Sequence, residues 1–180
     1  MSVKSRPRIL FLCTGNSCRS QMAQGFARHL KSDEIEAHSA GVAPKGVDPR
    51  AIEAMAEAGV DISNQSSKSL DEISQVEFDY VVTLCDNAQR TCPSFPGKKT
   101  KVVHVGFEDP PKLAATATGE EEIMGHYRRI RDKIRAFVEQ LPKPLVRAPD
   151  DPLGHKSSFQ SGMKAFLDQH SSELPGKKED

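Results

Sequence analysis

The sequence predicts an α/β fold: a four-stranded parallel sheet with helices on both faces and the functional loops at the carboxyl ends of the strands. Two observations predict it. Short apolar runs alternate with segments of helical period, and helix start and stop signals fall between or after those runs. Arg8 to Leu12 is the first strand. Ser20 to Leu30 follows as a helix, with Met22, Phe26 and Leu30 at helical spacing. Glu36 to Ala40 is the second strand, ended by Gly41. Asp48 reads as an N-cap with Pro49 at the first helical position, and Ala51 to Ala58 continue that helix to a stop at Gly59. Ser69 and Glu72 have capping-box spacing and open a short helix. Tyr80 to Leu84 and Lys101 to Val105 are the third and fourth strands. Thr118 and Glu121 form another capping box before a long helix. Its buried stripe is Ile123, Tyr127, Ile130, Ile134, Phe137 and Leu141, with Arg128, Arg129, Asp132 and Lys133 outside it.

Pro142 and Pro144 end that helix and divide the chain. Residues 1–142 form one catalytic-sized domain, large enough to bury a core. Residues 143–180 read as a tail, either largely disordered or loosely docked through Met163, Phe166 and Leu167. Twenty-five acidic residues balance 25 basic ones, which argues against nucleic acid or a membrane surface as the main partner. The first apolar run stops after Ile9-Leu10-Phe11-Leu12, too short for a secretory core, and no stretch reaches membrane-spanning length. A cytoplasmic protein with reduced thiols is expected. No long exposed apolar stripe is left over, so a monomer is expected.

The segment Cys13-Thr14-Gly15-Asn16-Ser17-Cys18-Arg19-Ser20 carries the chemistry. Cysteine, five residues and arginine are a weak signal alone. Here an apolar strand precedes them, Gly15 and Asn16 tolerate left-handed backbone angles, and a helix follows. That order sets the Cys13 thiol under a cradle of backbone N–H groups at the positive end of a helix, where a tetrahedral oxyanion would sit. A free thiol ionises near pH ~8.5, and helix N-termini and arginines lower such values to between ~3.5 and ~7.5. Arg19 can grip two oxyanion oxygens at once, which a lysine cannot. Ser20 is placed either to donate to the Cys13 sulfur or to cap the helix.

A second cysteine, Cys85, follows the apolar strand Tyr80 to Leu84. In a parallel sheet it emerges on the same edge as Cys13, with Cys92 seven positions further on. Zinc is a poor account of the pair, since there is no C-x-x-C and no paired-histidine motif. Two unrelated free thiols or a redox pair are the remaining accounts. Cys18 reads as a small packing residue. Asp109 follows the fourth strand onto the same edge and is a candidate proton donor, or an ordinary turn residue; Glu108 beside it reads as a solvated charge. The six histidines are scattered and none is assigned a catalytic task.

The run CTGNSCRSQMAQGFA resembles the active-site loop of the low-molecular-weight protein tyrosine phosphatase superfamily, with its phosphate-binding loop after the first strand. More narrowly it is similar to the arsenate reductases of that fold that couple to thioredoxin. Phosphatases of the group usually carry proline after Cys-Arg-Ser, where this chain has Gln21-Met22-Ala23. The resemblance spans about residues 8–141. It implies arsenate as substrate, phosphate or sulfate as competing anions, thioredoxin as electron donor and no bound cofactor. It implies oxyanion binding by Thr14 to Ser20, Asp109 as the acid, and a relay from Cys13 through Cys85 to Cys92. If residues 86–92 are helical when reduced, the last two stand about 10 Å apart along the axis, so the segment would have to unwind on oxidation.

Some of the reductases it resembles bind potassium beside the loop. The matching positions here are Asn16, Gln24, Ser39 and Lys68, so an amide and an ammonium replace two carboxylates. The expectation is loop support without metal, with Lys68 supplying the fixed charge and donating to Asn16 or Ser39, or else lying solvated at the surface. A protein tyrosine phosphatase and a non-catalytic thiol redox sensor are the alternative functions. The chain has no tryptophan and only Tyr80 and Tyr127 as tyrosines, which weakens the first.

Overall fold

A computed structural model describes residues 5–93, 95 and 100–147. Its sheet consists of β1 (Arg8–Cys13), β2 (Glu36–Gly41), β3 (Tyr80–Thr83) and β4 (Lys101–His104). All pairings are parallel, in the order β2-β1-β3-β4. Ile9, Leu10, Phe11 and Leu12 are each fully buried although successive strand residues face opposite sides, so both faces of β1 are covered. Chain order reverses at β1, whose neighbours are β2 on one side and β3 on the other. Clefts of doubly wound sheets open at such a reversal, at the carboxyl ends of the strands. Cys13 ends β1, Leu12 pairs with Thr83, and Cys85 follows two residues beyond, so both thiols reach this cleft.

The helices are α1 (Arg19–Leu30), α2 (Pro49–Glu57), α3 (Asp86–Thr91), α4 (Pro110–Ala114), α5 (Glu120–Glu139) and α6 (Lys143–Arg147). Asp48 caps α2 by accepting from the Arg50 amide at 2.9 Å, with Pro49 in the first turn where a missing N–H costs nothing. On α5 the expected stripe gains Met124 and Val138, Ile123 is only partly buried, and Leu141 is buried beyond the helix end. The Thr118–Glu121 box does not form. Gly119 is the N-cap in extended backbone, so the helix starts one residue later, and Glu122 accepts from both the amide and the hydroxyl of Thr118. At Ser69, Glu72 supplies the expected contact to the amide, but only a single 3-10 turn (Asp71–Ile73) follows.

α4 has no counterpart in the sequence reading. α6 lies past Pro142, where the sequence reads as a tail, and its Leu145 is fully buried against the core. The rest of that segment, including Met163, Phe166 and Leu167, lies outside the described residues.

Candidate active site

Between β1 and α1 the chain makes a tight loop whose carbonyls are spoken for. The amides of Val42, Ala43, Lys45 and Asp48 donate to the carbonyls of Cys13, Thr14, Gly15 and Ser17 at 2.8 to 3.1 Å. In a trans peptide the C=O of one residue and the N–H of the next point opposite ways. Turning those four carbonyls outward therefore turns the amides of Thr14, Gly15, Asn16 and Cys18 toward the concave side, above Cys13 and at the N-terminus of α1. Gly41 makes the close approach possible. A Cβ there would stand 2.7 Å from both the Asn16 amide and the Thr14 carbonyl.

Asn16 holds the loop together. It is fully buried with φ 44°, in the left-handed region that asparagine tolerates better than most residues. Its Nδ2 donates to Ser20 Oγ and Ser39 Oγ, both at 2.9 Å, while its Oδ1 accepts from the Lys68 amide and from Gln21 Nε2 at 2.9 and 3.0 Å. Ser39 in turn donates to Gln24 Oε1 at 2.6 Å. Ser20 Oγ, which accepts from Asn16, also lies 2.8 Å from Cys13 Sγ, where its proton is the one available to a thiolate. Of the two placements open to Ser20, its hydroxyl takes the one beside the thiol. The N-cap position of α1 is Cys18, without a side-chain cap, and the Ser20 hydroxyl serves the thiol.

Gln24 and Ser39 thus stand in the loop support where they were expected, but Lys68 is corrected. Its ammonium bonds the Ser66 carbonyl at 3.2 Å, and burial followed by the nearby Arg28 charge holds its pKa below the ordinary lysine value. The backbone does the work instead, with the Lys68 amide on Asn16 and its carbonyl accepting from Gly41 at 2.8 Å. The potassium ligand set that the resemblance would imply does not fit these residues. Asn16 Oδ1 already accepts two N–H bonds, Gln24 Oε1 accepts from Ser39, and among the described residues no carboxylate joins them.

Arg19 reaches across to the loop after β4. Its Nη1 donates to the Phe107 carbonyl at 2.9 Å, and its Nη2 lies 3.4 Å from Asp109 Oδ1. Asp109 occupies the N-cap of α4 but makes no side-chain cap bond, so its carboxylate faces the guanidinium. Glu108 is not the simply solvated charge that the sequence suggests. Arg129 at 2.6 Å and Lys133 at 3.4 Å fasten it to α5. Partial burial would raise its pKa, but those two cations outweigh that and hold it below the usual carboxylate range.

Cys13, Cys18 and Cys85 are buried, and Cys92 is half-buried. Cys85 caps α3, its Sγ accepting from the Ala88 amide, and lies 3.4 Å from Thr14 Oγ1 in the loop above Cys13. Asn87 donates to the same Thr14 oxygen at 3.0 Å, tying the first turn of α3 to the loop. Cys92 follows the last residue of α3, about 10 Å along the axis from Cys85. Burial pushes its thiol up to about 11. Cys18 is also raised well above the ordinary thiol value, first by burial and then by Asp48, as suits a protonated packing residue.

Several contributors escaped the sequence reading. Gln21 is fully buried and bonds the Asn16 and Ser66 carbonyls, while Gln65 bonds Gln21. Asp48 supports the loop through its amide to Ser17, and its carboxylate accepts from Tyr127 at 2.6 Å. Val42 to Lys45 back the loop on its carbonyl side, with the Lys45 stem lying over Gly15. The amide-lined loop, guanidinium and poised thiol form a site for nucleophilic attack on a tetrahedral oxyanion, with a second thiol beside the loop.

Comparison with known proteins agrees with this geometry. Residues 8–149 match the family model described as low molecular weight phosphotyrosine protein phosphatase. An arsenate reductase of Halalkalibacterium halodurans is 48% identical over 135 residues, covering 73% of this chain and 94% of that protein. A solved structure of an arsenate reductase in the phosphate binding state is 30% identical, with a TM-score of 0.57, over 75% of this chain and 95% of the other. A low-molecular-weight protein tyrosine phosphatase from T. tengcongensis is 26% identical, with a TM-score of 0.62, over 77% and 99% of the two chains.

Proposed function

This chain belongs to the low molecular weight phosphotyrosine protein phosphatase family, and we propose that within it the protein is an arsenate reductase regenerated by thioredoxin. The observation that carries the reading is Cys85, placed 3.4 Å from Thr14 in the loop that cradles Cys13. Hydrolysis of a phosphate ester needs Cys13, Arg19 and Asp109 but no second thiol there. The similar structure named for its phosphate binding state supports a tetrahedral oxyanion as the ligand of the loop.

The reaction runs in three exchanges. The Cys13 thiolate attacks the arsenic of arsenate, forming an S–As bond. An oxygen leaves as water, with Asp109 supplying a proton and Arg19 and the loop amides holding the remaining oxygens. The Cys85 thiolate then attacks Cys13 Sγ. An S–S bond forms, the S–As electron pair departs with arsenic, and arsenite is released two electrons more reduced. Last, Cys92 attacks Cys85 Sγ, freeing the Cys13 thiolate and leaving a Cys85–Cys92 disulfide. The dithiol of thioredoxin reduces that bond, and no bound cofactor takes part.

Burial gates the third exchange. In the resting fold Cys92 remains a thiol up to about pH 11, so it is a poor nucleophile. A disulfide needs Cα atoms within about 7 Å, and the helix holds these two about 10 Å apart. Unwinding α3 closes the gap and releases Cys92 from burial, so one motion supplies both reach and reactivity. The reading places the protein in the cytoplasm as a monomer; among the described residues no helix is long and apolar enough to cross a membrane.

Purified protein with arsenate, thioredoxin, thioredoxin reductase and NADPH tests the reading. Sustained, arsenate-dependent NADPH consumption is expected. Hydrolysis of an aryl phosphate without reductase turnover would overturn it in favour of a phosphatase, and neither activity would favour a thiol sensor.

A further inference from the structure

We propose that His104, acting through Asp86, is a positioning residue for the thiol relay: it pins the first turn of α3 in the helical, reduced form, more tightly when the imidazole is protonated. One ring joins three elements. His104 comes from β4 with its side chain only 11% exposed. Its Nδ1 bonds Thr83 Oγ1 of β3 at 2.8 Å, and its Nε2 lies 3.5 Å from Asp86 Oδ1, at the start of α3. The position across the ring is Gly106, where a Cβ would come 3.1 Å from Nε2 and crowd the imidazole. Asp86 is the residue after Cys85, so whatever holds its carboxylate also holds the backbone of the central relay cysteine.

The groups facing the ring are few. β3 presents Thr83, which carries no charge, and α3 presents Asp86, the one carboxylate within ion-pair distance among the described residues. Burial keeps the His104 pKa below the ordinary imidazole value, although Asp86 pulls the other way. The pair is therefore weak at neutral pH and strengthens as the solution is acidified.

The inference rests on the reading that α3 opens when Cys85 and Cys92 join. Asp86 leaves His104 in that motion, so the pair stabilises only the reduced state. The sign follows by linkage. With the ring still buried against Thr83 after α3 opens, only the Asp86 attraction is lost, so the reduced state binds the His104 proton more readily than the oxidised state, and acid favours reduction beyond what the two thiol protons require. That extra bias is full below the His104 pKa of the oxidised state and is lost as pH rises through the higher His104 pKa of the reduced state.

The test equilibrates the full chain, as wild type, His104→Gln and Asp86→Asn, in reduced and oxidised dithiothreitol at pH 5.5 and pH 8. Cys85 and Cys92 give two electrons and two protons to oxidised dithiothreitol, which becomes its dithiol, and peptide mapping counts the Cys85–Cys92 bond. His104→Gln should raise the oxidation equilibrium constant about two- to five-fold over wild type at pH 5.5, the scale of a partly exposed pair, and leave it nearly unchanged at pH 8. Asp86→Asn sits at an exposed position that folding tolerates, and should show the same loss of pH dependence on top of a pH-independent helix-end effect. Equal shifts at both pH values, or none, would overturn the proposal while leaving the relay intact. Failure of the wild type to form the Cys85–Cys92 bond would overturn the relay itself.

Discussion

Asn16 offers the sharpest test of how the anion-binding loop is held. Its side chain makes four hydrogen bonds at 2.9 to 3.0 Å in a site with no solvent exposure. Truncating it leaves the Lys68 amide without an acceptor, at about 1–3 kcal/mol for a buried donor. It also removes one bond each from Ser20, Ser39 and Gln21, which keep other partners, at about 0.5–1 kcal/mol apiece. Asn16→Gly should then cost about 3–5 kcal/mol, a large share of the ~5–15 kcal/mol of a typical domain. Asn16→Ala should cost about 1 kcal/mol more, because alanine at φ 44° meets the left-handed penalty that glycine escapes. Urea denaturation of the three proteins at fixed pH, compared by midpoint at unchanged slope, measures both differences. If glycine loses less than about 1 kcal/mol, the hydrogen-bond hub is not what holds the loop. If alanine proves more stable than glycine, the backbone argument fails.

The other expectations can be checked by chemistry. Cys13→Ser should abolish turnover, whereas Cys92→Ser should release one arsenite per enzyme and accumulate a Cys13–Cys85 bond; repeated turnover by Cys92→Ser would refute the order of the relay. Alkylation of Cys92 in the reduced protein should follow a titration near pH 11, and Arg90→Gly, which weakens α3 by about 1 kcal/mol, should move it toward the ordinary thiol value; an unshifted profile would separate the burial of Cys92 from the helix. For the same reason stability should fall as pH rises from about 8.5, where the unfolded thiol ionises, to about 11, and Cys92→Ser should flatten that slope. Exchanging potassium for sodium at constant ionic strength should leave activity unchanged, since Asn16, Gln24 and Ser39 already satisfy one another; several-fold activation by potassium would show that a cation competes successfully for those oxygens.

How much of this was legible follows from which contacts are local. The strand, loop and helix of residues 8–30 are contiguous, so apolar period, turn residues and the cysteine–arginine spacing are all written in one stretch. Parallel pairing follows from the alternation, which is why Cys85 and Asp109 can be placed on the edge that carries Cys13. The second ring of the site is different. Gln21 meets Ser66 and Gln65, Asp48 meets Tyr127, and Glu108 meets Arg129, across separations of 21 to 79 residues. No periodicity or spacing encodes such partners. Lys68 marks the same limit. A charged residue at that position invites an argument from its charge, yet its amide and carbonyl make the contacts, and any residue except proline brings those.

The pairing of a rigid loop with a short, weakly anchored helix gives the site its direction. Everything around Cys13 is over-determined: a buried asparagine with all four bonds made, carbonyls satisfied from 42–48, and a glycine whose replacement would collide with the loop. Preorganisation of that kind stabilises charge developing on an oxyanion without rearrangement during the reaction. α3 is the opposite. Six residues make fewer than two turns, a length that does not hold as a helix without outside contacts. Ala88 packs into the core, and three polar contacts of the first turn are Asn87 to Thr14, the Cys85 cap and Asp86 to His104. Two of the three touch the chemistry directly, because Thr14 belongs to the anion loop and the cap is the Cys85 sulfur itself. In the proposed relay that sulfur enters a disulfide with Cys13, which weakens its hold on the Ala88 amide, so the helix loses a contact at the step that requires it to open. On the proposed relay the reaction thus loosens its own latch in the forward direction, and Cys92 gains reactivity only once Cys85 has something to pass on.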